Sequence, residues 1–219
     1  MFDAARLAPG RIKSVQKIGS FLCVEGESML SVYQIKPQFQ RVLRPIVRSM
    51  RRAGIQPNDV TVGALILSCV GGLSIALHPD ELWPLQLLPL VLFVRMALNA
   101  MDGMLAREGG QPTPLGALLN ELCDVLADCV LYLPLALVPG IPAPGIVSMC
   151  LLAVVSEMAG VIAAQSGGER SYAGPMGKSD RALLVGVMGL FLGLGFAPGE
   201  WIDPLVGVAN FLLVITIYN

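Results

Sequence analysis

The chain contains 219 residues, of which 54% are hydrophobic and only 14% are charged, and its mean hydropathy is +0.68. A soluble domain usually carries about a quarter charged residues, so this composition argues against a soluble protein and indicates an integral membrane protein. The net charge of −1 says little, because the charged residues are segregated by position along the chain. We expect no nucleic-acid partner.

The first segment with a clear pattern begins at Met29. Residues 1–28 are weakly patterned, and we interpret them as an N-terminal extension, disordered or non-native, with Met29 as a plausible native start. Residues 30–57 form a predicted juxtamembrane segment. Between Phe39 and Arg52 apolar residues recur at helical spacing and arginines fill most of the other positions. This pattern is typical of a basic amphipathic helix on an anionic membrane surface.

Six apolar segments follow within residues 58–219, the predicted transmembrane domain. Most of them approach the roughly 20 residues needed to cross a bilayer. The segments lie near residues 60–78, 83–105, 116–138, 144–165, 182–197 and 201–218. The predicted fold is an all-α polytopic membrane protein, with six transmembrane helices preceded by a cytoplasmic amphipathic interfacial helix.

Lysine and arginine are confined to one side of this arrangement, apart from Arg95 inside the second segment. After Met29, those outside the amphipathic segment lie in two polar loops, at Arg107, Arg170, Lys178 and Arg181. By the positive-inside rule, both termini and these loops face the cytoplasm. No basic residue follows the last segment, which leaves open whether the natural chain continues beyond Asn219.

Polar residues interrupt the cytoplasmic halves of the second and third segments. They are Arg95, Asn99 and Asp102, followed by Asn120, Glu121, Asp124 and Asp128. The two segments run antiparallel through a short loop, so they are expected to be neighbours. Matching depths at about 1.5 Å per residue gives three levels. From the deepest outward, these levels are Arg95 with Asp128, Asn99 with Asp124, and Asp102 with Asn120.

Ionisable groups inside a membrane are candidate functional sites. Carboxylate and amide oxygens suit a hard divalent cation such as Mg²⁺ or Mn²⁺. Asp102 and Asp124 are the strongest metal candidates, because two unpaired acids in lipid need a cation. For Asn99 and Asn120, hydrogen bonding between helices competes with metal binding.

Two deeper features have more than one reading. Arg95 and Asp128 are explained by a buried pair that locks two helices as readily as by catalysis. Glu157 in the fourth segment is either a helix-packing partner or a cavity-lining residue.

Small and basic residues beside the acids suit a phosphate group. Gly103 and Gly116 allow close backbone approach, although tight helix packing explains either glycine about equally well. Arg107 emerges at the same level, where it can bind a phosphate or serve as an ordinary positive-inside flank.

These positions together resemble the signature of the CDP-alcohol phosphatidyltransferases. The family pattern is D-x2-D-G-x2-A-R-x8-G-x3-D-x3-D on two adjacent transmembrane helices. This chain has Asn99-x2-Asp102-Gly103-x2-Ala106-Arg107-x8-Gly116-x3-Asn120-x3-Asp124. All spacings match, and the helix layout extends the resemblance over roughly residues 30–219. Stretches such as "RMALNAMDGMLARE" and "RSYAGPMGKSDRA" resemble a little-characterised bacterial inner-membrane branch.

The resemblance implies a multi-pass enzyme of phospholipid synthesis in the bacterial inner membrane, with residues 58–219 as its catalytic domain and its active site facing the cytoplasm. It would transfer a phosphatidyl group, or an analogous phospho-alcohol, from a CDP-linked lipid donor to an acceptor hydroxyl and release CMP. The acceptor would be a small alcohol or phospho-alcohol, and the cofactor Mg²⁺ or Mn²⁺. A homodimer is also implied, for which close contacts are available at Gly186, Gly189 and Gly193.

The resemblance also implies residue roles. The metal positions are Asp102, Asp124, Asn99 and Asn120. The CDP-binding positions are Gly103, Ala106, Arg107 and Gly116. The general base is Asp124, with Asp128, one turn deeper, as the alternative.

Two motif positions depart from the family pattern, because Asn99 and Asn120 stand where the family has acids. Asn can ligate through its carbonyl oxygen, but it carries no charge and cannot act as a base. We interpret Asp128 as compensating for the lost charge. An alternative register pairs Asp124 with Asp128, but it places Asn120 where the glycine belongs and lengthens the gap.

The second cytoplasmic loop is a candidate acceptor pocket. Its basic residues, Arg170, Lys178 and Arg181, are either an ordinary positive-inside flank or ligands for a phosphate-bearing acceptor. Two rival functions stay open. One is a catalytically reduced family member that binds CDP-lipid or acts as a membrane assembly partner. The other is a small transporter, against which no inverted repeat is evident.

Overall fold

The computed structural model describes residues 36–109, 113–165 and 174–219, which lie within one compact unit. These residues form helices and contain no strand. The helices are α1 (Lys36–Arg52), α2 (Pro57–Leu77), α3 (Trp83–Glu108), α4 (Pro114–Tyr132), α5 (Ala143–Gln165), α6 (Lys178–Gly193) and α7 (Ile202–Tyr218), and a 3-10 turn (Leu133–Leu137) follows α4. The all-α prediction is confirmed, whereas the predicted extension 1–28 and Arg170 lie outside the described residues.

α6 begins earlier in the chain than the sequence predicts. Asp180 Oδ2 accepts a hydrogen bond from the Gly177 N–H at 3.1 Å, which satisfies one of the backbone donors at the start of a helix. The helix therefore begins at Lys178 rather than near residue 182. Lys178 and Arg181, which the sequence places in a loop, lie in the first turn of α6. The helix therefore sets the direction in which each of these side chains points.

Glycines bring the helices of the core into close contact. Gly72 on α2 lies so near α4 that the carbonyl oxygen of Val130 occupies the position a Cβ would take. On α6, a Cβ added at Gly193 would lie 2.6 Å from the backbone nitrogen of Gln86 on α3, and Gly189 is similarly close to α3. The glycines that the sequence offered for a homodimer contact therefore serve packing within the chain.

The outer faces of the helices are apolar. Leu73 on α2, Leu151 on α5 and Phe211 on α7 each expose more than half of their surface. Extended apolar faces of this kind are unusual in soluble proteins and are suited to lipid. By length and composition, α2, α3 and residues 143–163 of α5 can each cross a membrane. The described residues are therefore helical, and three of their helices have the length and composition of membrane spans.

α1 packs on α3 through one side. Leu43 and Val47 are buried in a cluster with Met101 of α3. Val42 and Ile46, which the sequence assigns to the same apolar face, are exposed. One set of apolar residues on α1 therefore packs against α3, and a second set is exposed on the surface of the helix.

Candidate active site

Two side-chain pairs set the register of α3 against α4. Arg95 Nη1 lies 2.6 Å from Asp128 Oδ1. Asn99 Nδ2 donates a hydrogen bond to Asp124 Oδ1 at 2.8 Å. Each four-residue step toward the C-terminus of α3 is matched by a four-residue step toward the N-terminus of α4, as antiparallel helices require. The two deeper levels predicted from the sequence are both present.

The next level contains Asp102, one turn further along α3. By the same register, Asp102 faces the turn of α4 that carries Asn120. Asp102 is buried, and the Thr61 hydroxyl of α2 donates a hydrogen bond to its Oδ2 at 3.0 Å. Asn120 Oδ1 is buried without a hydrogen-bond partner. A buried carbonyl oxygen without a donor is unfavourable, so this level is suited to a cation or to a donor group of a ligand.

Asp124 is held from two sides. Asn99 of α3 donates to Oδ1, and Lys178, the first residue of α6, forms an ion pair with Oδ2. The side chains of Asp124 and Lys178 are 18% and 21% exposed, so this pair reaches the edge of the protein interior. Sequence reasoning placed Lys178 in a loop and missed this contact, because nothing in the local pattern shows which side chain the start of α6 meets.

The predicted CDP-binding residues lie at the same end of α3 and α4. A Cβ added at Gly103 would meet only Arg107 Nη2, at 3.8 Å, so the guanidinium folds back toward the glycine. Ala106 is half-buried beside them. A Cβ added at Gly116 would lie 3.1 Å from Asn58 Oδ1 of α2. Gly103 therefore leaves open space next to a cation, which suits a phosphate, while Gly116 allows α4 to approach α2 closely.

A second group of charges lies deeper, between α3, α4, α5 and α6. Asp128 Oδ2 accepts a hydrogen bond from Arg181 Nη2 at 3.0 Å, in addition to the pairing of Oδ1 with Arg95. The same Arg181 nitrogen donates to Glu157 Oε1 at 2.8 Å. Arg95, Asp128 and Arg181 are each no more than 4% exposed. These four side chains, termed the deep network, contain two cations and two anions that neutralise one another.

The deep network bears on three readings that the sequence left open. Both carboxylate oxygens of Asp128 face arginines, which favours the structural pair with Arg95 over a role as base. Arg181 is turned inward to two acids and is not free in a loop. Glu157 is a partner of Arg181, and its contact joins α5 to α6. Glu157 and Arg181 were noticed in the sequence, but their pairing depends on how α5 and α6 pack.

The oxygen donors at the outer levels are of the type that a hard divalent cation prefers. Asp102 and Asp124 supply two carboxylates, and Asn120 adds an oxygen that lacks a donor. Mg²⁺ is commonly bound by one or two carboxylates together with substrate phosphates and water. Across the described parts of the chain, no group of three or more His, Cys, Asp or Glu side chains is placed to hold a metal ion. The number of acids at the outer levels is low because Asn99 and Asn120 replace two acids of the motif.

The motif-bearing helices belong to a longer stretch that matches a known family. The family model for CDP-alcohol phosphatidyltransferase matches residues 55–217. The chain belongs to this family. It is 44% identical over 190 residues to the inner membrane protein YnbA of Escherichia coli (strain K12). The aligned region covers 87% of this chain and 94% of that protein. It is 26% identical over 179 residues to the phosphatidylinositol phosphate synthase of Mycolicibacterium smegmatis, which covers 79% of each chain.

Solved structures share the fold of this phosphatidyltransferase family member. The phosphatidylinositol phosphate synthase of Mycobacterium tuberculosis with CDP-DAG bound superposes with a TM-score of 0.68 at 22% identity, over 81% of this chain and 90% of the other. The same synthase in complex with manganese and citrate gives a TM-score of 0.67, over 80% and 84% of the two chains. At this level of identity the likeness establishes the fold, and the family resemblance read from the motif is confirmed by the family match.

Proposed function

We propose that this chain is an inner-membrane enzyme of phospholipid synthesis that transfers a phosphatidyl group from a CDP-linked donor such as CDP-diacylglycerol to an acceptor hydroxyl, with release of CMP. The observation that carries the proposal is the convergence of Asp102, Asp124 and Arg107 at one end of α3 and α4, in the spacing of the family motif. The CDP-DAG in the structure of the M. tuberculosis relative supports the donor class. The name of the E. coli relative supports the inner-membrane location.

The outer levels of α3 and α4 are the proposed site for metal and nucleotide. The motif positions for Mg²⁺ or Mn²⁺ are Asp102, Asp124, Asn99 and Asn120. Of these, Asp102 and Asn120 would hold the ion, while Asn99 donates a hydrogen bond to Asp124 beside it. Such an ion would neutralise negative charge on the donor pyrophosphate and on the oxygens of the transferred phosphoryl group. Arg107 binds a nucleotide phosphate through charge-assisted hydrogen bonds in the space beside Gly103 and Ala106. Gly116 contributes by letting the start of α4 approach α2 closely at the same end of the site. The manganese in a structure of the M. tuberculosis relative supports the choice of ion.

Asp124 is the proposed general base. Its carboxylate is partly exposed, whereas Asp128 is buried between two arginines. Asp124 takes the proton of the acceptor hydroxyl while the hydroxyl oxygen bonds to the phosphorus of the phosphatidyl group. The bond from that phosphorus to the CMP oxygen breaks, and CMP leaves. Asp128 then acts through the deep network, by holding α3, α4 and α6 in place.

We propose a membrane arrangement in which α2 to α7 are six spans and α1 lies at the interface. The shortest span, α6, has 16 residues, and a helix of that length covers about 24 Å of a bilayer core that is about 30 Å thick. The exposed Val42 and Ile46 of α1 enter the headgroup region, and the neighbouring arginines meet anionic lipid. The basic ends of the helices and the active site then face the cytoplasm. In this arrangement residues 30–57 are the juxtamembrane segment and 58–219 the catalytic domain.

The acceptor is proposed to be a small alcohol or phospho-alcohol that enters beside Asp124. The side chain of Lys178, in the first turn of α6, reaches this point. Arg181 is engaged by Asp128 and Glu157, so we do not assign it to the acceptor. The name of the M. smegmatis relative, a phosphatidylinositol phosphate synthase, supports a phosphorylated acceptor.

A catalytically reduced family member that binds CDP-lipid is the second candidate. It is favoured by the replacement of two motif acids with Asn99 and Asn120, and by the occupation of both oxygens of Asp124 in the structure. Such a protein would retain the phosphate-binding half of the motif around Arg107 while turnover is lost.

The discriminating experiment measures CMP release from CDP-diacylglycerol by the purified protein in lipid nanodiscs. Mg²⁺ or Mn²⁺ is supplied, and acceptors are tested as a panel of free and phosphorylated alcohols. We expect CMP release that needs both the metal and at least one hydroxyl acceptor and is abolished by EDTA. Absence of turnover with every acceptor, together with retained binding of CDP-diacylglycerol, would favour the binding-only function.

A further inference from the structure

Lys178 places a positive charge against the acid proposed as the base. Its ammonium pairs with Asp124 Oδ2, which is the position that a ligating divalent cation would be expected to occupy. We propose that Lys178 is a built-in counter-ion that takes the place of a second divalent cation, so that this chain binds a single Mg²⁺ or Mn²⁺ per site. The inference rests on the proposed function, because it concerns the metal requirement of that same site.

The charge balance of the motif supports a single ion. The family pattern has four acids, which carry enough negative charge to neutralise two divalent cations. In this chain Asn99 and Asn120 replace two of the four, and Lys178 offsets the charge of one that remains. Excess positive charge in a partly buried site is strongly unfavourable, so two divalent cations would lack the negative charge to hold them.

The geometry at Asp124 supports the same conclusion. Asn99 Nδ2 donates to Oδ1 at 2.8 Å, and Lys178 approaches Oδ2, so each carboxylate oxygen already faces a donor. Asn99 is therefore oriented with its amide N–H toward the acid and serves as a hydrogen-bond donor to Asp124. A carboxylate held in this way has one cation in place before any metal binds.

The remaining oxygen ligands lie one level outward. Asp102 has one oxygen bonded to Thr61, and Asn120 Oδ1 is buried without a partner. By the helix register, the unpartnered oxygen of Asn120 lies across from the carboxylate of Asp102. A cation bound between them would satisfy both groups. We therefore place the single divalent ion at the Asp102 and Asn120 level, with Lys178 providing the positive charge at Asp124.

Counting Mn²⁺ ions by electron paramagnetic resonance tests this inference without any turnover. The full chain in nanodiscs is titrated with Mn²⁺, and we expect one bound ion per chain. Lys178→Met removes the competing cation, and we expect about tenfold tighter Mn²⁺ binding, the effect of one nearby like charge in a partly exposed site. Lys178→Arg keeps the charge and is expected to keep the wild-type stoichiometry and affinity within about twofold.

Restoring the family pattern provides the second test. The triple variant Asn99→Asp, Asn120→Asp, Lys178→Met regains both acids and loses the lysine, and we expect it to bind two Mn²⁺ ions per chain. Two ions in one site couple magnetically, which broadens the six-line spectrum of isolated Mn²⁺. The wild-type count and the Lys178→Met affinity decide the question even if the triple variant does not fold.

Several results would overturn the inference. They are two Mn²⁺ ions in the wild type, no bound Mn²⁺, or Lys178→Met binding Mn²⁺ within about twofold of the wild type. A Lys178→Met variant that raises the KM for the acceptor and leaves Mn²⁺ binding unchanged would leave Lys178 with the acceptor role alone. One bound ion without CMP release would contradict the proposed activity and support this inference. CMP release with two bound ions would support the proposed activity and contradict this inference.

Discussion

Two charged regions lie along the α3–α4 pair, about one helical turn apart, and they differ in how their charges are balanced. The first is the deep network, and the second is the outer level around Asp102, Asn120, Asp124 and Lys178. The deep network balances two arginines against two acids, and three of its four side chains are almost fully buried. The outer level has an unpartnered amide oxygen and side chains that are partly exposed. The same residue types therefore stabilise the fold in one region and prepare a ligand site in the other.

The difference shows why a buried acid is not by itself a catalytic acid. Asp128 is the deeper of the two acids on α4, yet both its oxygens are neutralised by arginines that no ligand can displace without breaking the core. Asp124 is one turn outward and pairs with a lysine whose flexible side chain can move. Substitutions in the two regions should therefore affect different measurable properties.

Asp124→Asn is expected to have the largest effect on activity. Removing the proposed base should lower the kcat for CMP release by about 10²- to 10⁴-fold, while the temperature of unfolding in detergent changes little. Asp203→Asn, at an exposed position on α7, is the matched control and should leave activity unchanged. Full activity in Asp124→Asn would show that another group takes the proton.

Asp128→Asn should have the largest effect on stability. It leaves Arg95 and Arg181 facing a neutral amide, and breaking a buried ion pair of this kind costs about 3–5 kcal/mol. Thermal unfolding of the purified protein should therefore shift well below that of Asp124→Asn. If the two variants unfold at the same temperature, the distinction between the two regions is wrong.

Arg107→Ala should weaken binding of the CDP donor without destabilising the fold. The guanidinium folds toward Gly103 at the open end of the site, so its loss removes a charge-assisted contact worth about 1.5–3 kcal/mol, or roughly tenfold or more in KM. Arg107→Lys should recover part of the affinity. If the KM for the CDP donor is unchanged in Arg107→Ala, Arg107 does not bind the donor and only contributes positive charge at the cytoplasmic end of the helix.

Thr61→Val should have the smallest effect. It removes the hydrogen bond to Asp102 Oδ2 while preserving shape, and such a bond contributes about 1 kcal/mol. We expect Mn²⁺ affinity to change by less than about tenfold, with Thr61→Ser restoring the wild-type value. A loss as large as that in Asp102→Asn would mean that Thr61 is itself a ligand rather than a support for one.

Much of the site on α3 and α4 follows from sequence spacing. Two antiparallel helices joined by a short loop have a single register once one pair is placed, so the pairings of Arg95 with Asp128 and of Asn99 with Asp124 could be predicted. Thr61 could not be predicted, because its hydroxyl reaches Asp102 from another helix. The helix start at Lys178 was also missed, since it depends on a cap formed by Asp180.

The sequence by itself determined the family, the motif and the apolar character of the helices, because hydropathy and residue spacing are properties of the chain that folding does not change. Tertiary structure alone decided what each charge faces. Lys178 and Arg181 are separated by less than one turn of α6, yet one meets Asp124 at the edge of the site and the other is buried against Asp128 and Glu157. Pairings of this kind depend on how α5 and α6 pack against the α3–α4 pair, and contacts between distant segments leave no periodicity in the sequence.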